Sequence, residues 1–151
     1  MPPTKGVYVL LIEVASRVLL EIKSLGYVKL PQGRYVYVGS AKGPGGLRGR
    51  MARHFKKRKK LWWHIDYLLS EPSSKLVLAV YAETMNLSEC DIVRTLLGRG
   101  AYAPIMGFGS SDCRAGCPAH LLAGVWLNDV LEAFRELGLV PRVVRWREAG
   151  H

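Results

Sequence analysis

Residues 34–60 read RYVYVGSAKGPGGLRGRMARHFKKRKK, and three kinds of local structure follow one another within them. Positions 34–41 alternate aromatic and β-branched residues and end on Gly39-Ser40-Ala41, the composition of a strand. KGPGG at 42–46 cannot hold regular structure, because its glycines and proline break either periodicity. From Leu47 the pattern turns helical. Leu47, Met51 and Phe55 recur at i, i+4 and i+8 and predict a core-facing stripe on a helix carrying 47–60. Arg50, His54 and Lys57 fall on a neighbouring stripe.

Reading outward, GVYVLLIEV at 6–14 is a long apolar run rich in strand formers, followed by shorter ones at 17–22 and 27–30. Pro31-Gln32-Gly33 marks a turn, so the first third predicts an antiparallel meander of three or four strands. WWHIDYLL at 62–69 predicts a second helix, ended by Pro72, and KLVLAVYA at 75–82 a central strand. Ser88 with Asp91 three residues on has the spacing of a capping box, opening a helix over 89–97 that stops at Gly98. After a loop-rich stretch at 101–119, a short strand is expected within 120–125. Leu127, Val130, Leu131, Phe134 and Leu137 trace a last amphipathic helix closed by Gly138, and 139–146 offers a terminal edge strand. The expected architecture is one α+β domain over 1–151, a small, mostly antiparallel sheet flanked by helices. Its core spans about 6–122, with a C-terminal helix and tail at 123–151.

Composition sets the limits. The chain has 151 residues, 49% of them hydrophobic, which suits one packed domain and excludes a disordered chain. No run approaches the roughly 18 apolar residues of a membrane span, and the start lacks an apolar signal core. Three cysteines cannot all pair within the chain, so a disulfide framework is excluded and a cytoplasmic protein expected. Lysine and arginine outnumber acids 22 to 12, a net charge of +10. Such a surplus calls for an anionic partner, most simply nucleic acid. The charge-rich surface of a thermophile would raise acid and base together.

The surplus is concentrated in one place. Arg48, Arg50, Arg53, Lys56, Lys57, Arg58, Lys59 and Lys60 crowd one segment, with Trp62 and Trp63 directly after. Read as phosphate contacts, they give salt-sensitive affinity without sequence preference; the alternative is a solvated helix face. The tryptophans read as packing groups rather than base platforms. Gly6-Val7-Tyr8 and Tyr37-Val38-Gly39 each set a tyrosine beside a glycine that permits close backbone approach. Phenols, a guanidinium and an imidazole gathered at one spot suit phosphodiester hydrolysis. A phenol can relay a proton from attacking water, and arginine can hold a phosphate bidentately.

These residues together resemble the GIY-YIG nuclease superfamily, within it a small archaeal and bacterial branch of uncharacterised, DUF123-like domains. The resemblance rests on Gly6-Val7-Tyr8, Tyr37-Val38-Gly39-Ser40-Ala41, Arg50, His54, Trp63-His64-Ile65-Asp66-Tyr67-Leu68-Leu69 and Gly107-Phe108-Gly109-Ser110-Ser111-Asp112-Cys113, and runs from Gly6 to about Leu122. It implies Tyr8 as general base or proton relay, with Tyr37 assisting. Arg50 would stabilise the pentavalent phosphate, and His54 would contact phosphate or transfer a proton. Glu89 would hold a single Mg²⁺ or Mn²⁺, with Asp91 as the alternative ligand, and Lys42 would favour the phenolate. The two tyrosines stand 29 positions apart, wider than the family's usual spacing, which implies an inserted hairpin. The asparagine that often follows the glutamate helix has no counterpart around 101–104.

The remaining cluster is Cys113, Cys117 and His120. The preferred reading is two reduced cysteines in a loop. A Cys113–Cys117 disulfide and a structural zinc, completed by His64, Asp66 or Cys90, are the alternatives. His64 either lines the nucleic-acid groove or is a satisfied, partly buried residue, and Ser110-Ser111-Asp112 reads first as turn chemistry. The expected function is a metal-dependent endonuclease on DNA, directed by structure rather than sequence. It would act as monomer or homodimer, alone or with a targeting protein, and away from membranes. The alternatives are a non-catalytic nucleic-acid binding module and an RNA-directed nuclease.

Overall fold

Nearly every side chain of GVYVLLIEV is buried, on both of its faces, and this puts β1 (Gly6–Val14) at the centre of the molecule. The computed structural model describes residues 4–110 and 116–145. In chain order β1 is followed by β2 (Val18–Ile22), β3 (Gly26–Leu30), β4 (Gly33–Ala41), α1 (Gly46–Phe55) and α2 (His64–Leu69). Then come β5 (Ser74–Glu83), α3 (Glu89–Gly98), β6 (Leu121–Leu122), α4 (Leu127–Glu136) and β7 (Arg142–Val144). A five-stranded sheet runs β6-β4-β1-β5-β7 with every neighbouring pair antiparallel. Tyr8, Leu10 and Ile12 of β1, with Tyr35 and Tyr37 of β4, face one core, shared with α1, α2 and the β2–β3 hairpin. Val7, Val9 and Leu11, with Val36 and Val38, face the other, under α3 and α4. The fold is therefore α+β, as the element pattern predicts. Fully shielded aliphatic side chains such as those of β1 each contribute about 1.5–3 kcal/mol.

Three expectations need correction. The first four strands do not form one meander. β1 pairs directly with β4, from Gly6 opposite Ala41 to Val14 opposite Gly33, while β2 and β3 form a separate two-stranded sheet. The reason is in the burial: β1 and β4 shield both faces along most of their length, whereas β2 buries only alternate residues and covers one core as a flap.

Helix α1 ends at Phe55, not near Lys60, and Lys56 is already extended. The following lysines turn back onto the fold. Lys59 Nζ donates to the carbonyls of Arg53 (3.2 Å) and His54 (2.9 Å), and Lys57 Nζ to those of Glu71 (2.6 Å) and Ser74 (2.9 Å). Capping by cations at a helix C-terminus is favourable, while continuing the helix would stack like charges one turn apart. Similarly α2 begins at His64, because Asp66 Oδ2 accepts the N–H groups of both Trp62 and Trp63.

The third correction concerns the cysteines. Cys117 is not a reduced loop residue: it bonds Cys90 on α3, with a Cα–Cα distance of 5.9 Å. Cys90 is on the inner face of α3, and residues 117–120 lead into the β6 edge of the same core, so packing unites positions far apart in sequence. Cys117 is then unavailable to Cys113. Cys113, with Ser111 and Asp112, lies outside the described residues, as does Trp146. Among the described residues no helix is long and apolar enough to cross a membrane.

Helices α1 and α2 are pinned by one ion pair. Arg53 donates from Nη1 and Nη2 to the two oxygens of Asp66, both at 2.8 Å, and Asp66 is fully buried. The rings of Trp62 and Trp63 flank the guanidinium at 4.8 and 4.2 Å. Burial alone would raise the Asp66 pKa, but Arg53 and the two tryptophan N–H groups hold it below the usual carboxylate value. Removing one partner strands the other away from water. Asp66→Ala is expected to lower stability in chemical denaturation by about 3–5 kcal/mol. Glu13→Ala, which breaks the exposed pair with Arg34, should cost less than about 1 kcal/mol. Equal losses would contradict this reading of the ion pair.

Candidate active site

The site starts from a cross-strand pair. Tyr8 on β1 stands opposite Gly39 on β4. A Cβ at position 39 would run into Cζ and Oη of the Tyr8 ring. The missing side chain is what lets the ring lie flat across β4 and reach α1. There its Oη is 2.7 Å from His54 Nε2. Both residues are buried, and His54 Nδ1 has no partner, so no second hydrogen bond fixes the tautomer. The phenol–imidazole hydrogen bond can therefore run in either direction.

Electrostatics keep this pair neutral at rest. Burial pushes the Tyr8 phenol up to about 12, against the pull of the Arg50 guanidinium. Burial, then the nearby Lys59 and Arg50 charges, hold His54 well below its ordinary value. Tyr37 is raised further, by burial and by its neighbour Tyr8.

A cleft of about 180 Å³ opens over the pair. Tyr8, Tyr37, Arg50, His54 and Glu89 all line it, so the five catalytic candidates read from sequence share one wall. Arg50 lies one helical turn before His54, with its guanidinium 4.4 Å from the centre of the Trp63 ring. Glu89 opens α3, and among the described residues no cation pairs with it. Asp91 is committed elsewhere: its Oδ2 accepts the Ser88 N–H at 2.8 Å, closing the capping box. Of the two acids considered as ligand, Glu89 is the one that faces the cleft. One carboxylate beside phenols, with room for water and substrate oxygens, fits a single hard divalent ion.

The other candidates divide. Lys42 donates to the carbonyls of Thr84 (3.3 Å) and Leu87 (3.1 Å), tying the glycine loop to the turn that leads into Glu89. Arg53, Lys57 and Lys59 have the internal partners described above, and burial lowers Lys59 to about 8. Arg48, Lys56, Arg58 and Lys60 are exposed around α1 and its exit. His64 stands back from the cleft. Its Nδ1 accepts the Gly109 N–H (2.8 Å), so Nε2 carries the proton and donates to Ser24 Oγ (2.6 Å). It ties the β2–β3 hairpin to the loop after residue 105.

Trp63, Gly109 and His120 are among the lining residues that were not singled out for the cleft from sequence. Gly109 has φ +77°, and a Cβ there would press on the Tyr37 ring, so the GFG stretch carried a readable signal of close approach. His120 Nε2 lies 3.2 Å from Cys117 Sγ, and that sulfur, which the alternative zinc reading made a ligand, is bonded to Cys90.

The family described as "Domain of unknown function DUF123" matches residues 7–139, which include all five catalytic candidates. The chain belongs to the DUF123 family. No curated protein and no solved structure matches it.

In this DUF123 domain the neutral imidazole has a measurable signature. Followed by NMR, His54 is expected to titrate with a midpoint well below 6.5. Because the unfolded chain takes up that proton first, stability should fall as pH drops below about 6.5, and His54→Gln should flatten that slope. A His54 midpoint at or above the ordinary histidine value would contradict the buried, neutral pair.

Proposed function

We propose that this DUF123 domain is a divalent-metal-dependent endonuclease that hydrolyses DNA phosphodiester bonds, a member of the GIY-YIG nuclease superfamily directed by DNA structure. The observation that carries the reading is the 2.7 Å hydrogen bond between Tyr8 and His54, in a cleft that also holds Arg50 and Glu89. A phenol that can hand its proton to a neutral imidazole is a competent base for water. As water attacks phosphorus, Tyr8 takes its proton and His54 takes that of Tyr8. Arg50, held against Trp63, offers two N–H groups to the phosphate oxygens as negative charge builds on them. Tyr37, protonated at any working pH, orients water or phosphate by donating a hydrogen bond. Glu89 would hold the divalent ion, which when bound acts as a Lewis acid on the phosphate.

Binding is assigned to Lys56, Arg58 and Lys60, which are exposed where the chain leaves α1. Contacts of this kind grip the backbone without reading bases. The cleft is small and the helices beside it are short, so a bend, nick or flap that presents one phosphate suits it better than a base sequence.

The test compares labelled single-stranded, duplex, flap and junction DNA, and matching RNA, with Mg²⁺, with Mn²⁺ and with EDTA. Metal-dependent cutting of branched DNA is expected. Tyr8→Phe should lower the rate about 10²–10⁴-fold and Arg50→Ala about 10²–10³-fold. Glu89→Gln should abolish the metal response, with binding retained in all three. Salt-sensitive binding without cutting under any condition would replace the reading with a binding module, and cutting confined to RNA would replace the substrate.

The sorting of cations gives a separate expectation. Replacing Lys56, Arg58 and Lys60 by alanine should reduce the salt dependence of DNA binding by about 0.9 per lost phosphate contact, at unchanged stability. Arg53→Ala should instead lower the unfolding midpoint. An unchanged salt slope in the triple variant would move the DNA to another face.

A further inference from the structure

We propose that Cys90, Cys117 and His120 form a redox-gated site for a soft divalent ion of the zinc type. Oxidised, it is closed as a disulfide; reduced, it opens as two thiolates and an imidazole. All three residues are buried, and their ligand atoms lie within 4.8 Å of one another. His120 Nε2 is 3.2 Å from Cys117 Sγ and 3.8 Å from Cys90 Sγ. In a tetrahedral zinc site, with Zn–S about 2.3 Å and Zn–N about 2.0 Å, ligand nitrogen and sulfur stand about 3.5 Å apart. The imidazole nitrogen thus already holds that spacing from both sulfurs.

A disulfide has no use for this third group. Sulfur is a weak hydrogen-bond partner, and among the described residues His120 Nε2 meets only sulfur. Burying an imidazole nitrogen so poorly satisfied is costly in a purely structural bridge. It is what a metal site requires, since the ion takes the nitrogen lone pair.

The frame around Cys90 and His120 is fixed independently of the bridge. Cys90 sits in the first turn of α3. The His120 backbone is held on both sides, its N–H donating to Phe108 O (2.8 Å) and its carbonyl accepting from Val38 N–H (2.9 Å). Opening the bridge therefore leaves two of the three ligands anchored. The redox step balances simply: a dithiol delivers two electrons and two protons to the Cys90–Cys117 bond and becomes a disulfide itself. Ion binding then displaces the two thiol protons. The site shares a wall with the cleft, because His120 lines it and Cys90 follows Glu89.

Cobalt(II) titration of the full chain tests the proposal, since its spectrum reports sulfur ligation and tetrahedral geometry directly. The oxidised chain should give no thiolate-to-cobalt band. After reduction by a dithiol, removed without air, the chain should bind one Co²⁺ with the band intensity of two thiolates, and Zn²⁺ should displace it. Cys113→Ser should keep the band. Cys90→Ser and Cys117→Ser should lose half its intensity or all of it. His120→Gln, which keeps both sulfurs, should weaken binding by about tenfold or more. Circular dichroism of the reduced, metal-free chain separates loss of ligation from loss of fold. A reduced, folded chain without the band, a band that keeps its full intensity in either cysteine variant, or a bridge that resists reduction in the folded chain would each overturn the site.

Discussion

The ring of Tyr8 lies across Gly39, and the geometry of the cleft follows from that contact. It demands that β1 and β4 pair directly and in one register, because a slip of one residue would turn Tyr8 to the opposite core. It demands a residue without a Cβ at position 39, and it sets the depth at which α1 must pack for His54 to meet the phenol. Leu47 and Met51, fully buried on the same helix, hold that depth. Arg50, one turn before His54, is then carried to the rim without a separate device.

A second constraint is charge. A compact block of cations would repel itself, and the fold relieves this by giving several of them internal acceptors. Arg53 takes the Asp66 carboxylate, Lys57 and Lys59 take backbone carbonyls, and Lys42 takes the turn before α3. These cations tie together the elements around the cleft, while Lys56, Arg58 and Lys60 stay exposed. A single basic stretch is thus divided, residue by residue, between internal ties and exposed charge.

Much of this was legible beforehand, for local reasons. The run at 6–14 is legible as a strand from its apolar, strand-forming composition, and Ser88 with Asp91 marks the start of α3 by side-chain chemistry alone. The tyrosines, Arg50 and His54 were legible as a set because a glycine loop between strand and helix brings both to one end, whereas Glu89 joined them only through the family resemblance. What was not legible depends on distant partners. The end of α1 is set by lysines folding back onto its last carbonyls, which helical periodicity does not encode. Whether Arg53 faces DNA or a buried carboxylate depends on where Asp66 arrives. The Cys90–Cys117 pairing joins residues 27 positions apart, and His120 enters the cleft only because β6 closes the sheet beside β4.

The central claim is that Tyr8 and His54 activate water for direct attack on phosphorus. The most direct measurement is the stereochemical course of cleavage of a chiral phosphorothioate DNA in the presence of the divalent ion. Direct attack in a single displacement predicts inversion at phosphorus. Retention would mean that the chain itself, through a tyrosine, forms a covalent link to the phosphate, and would contradict the account.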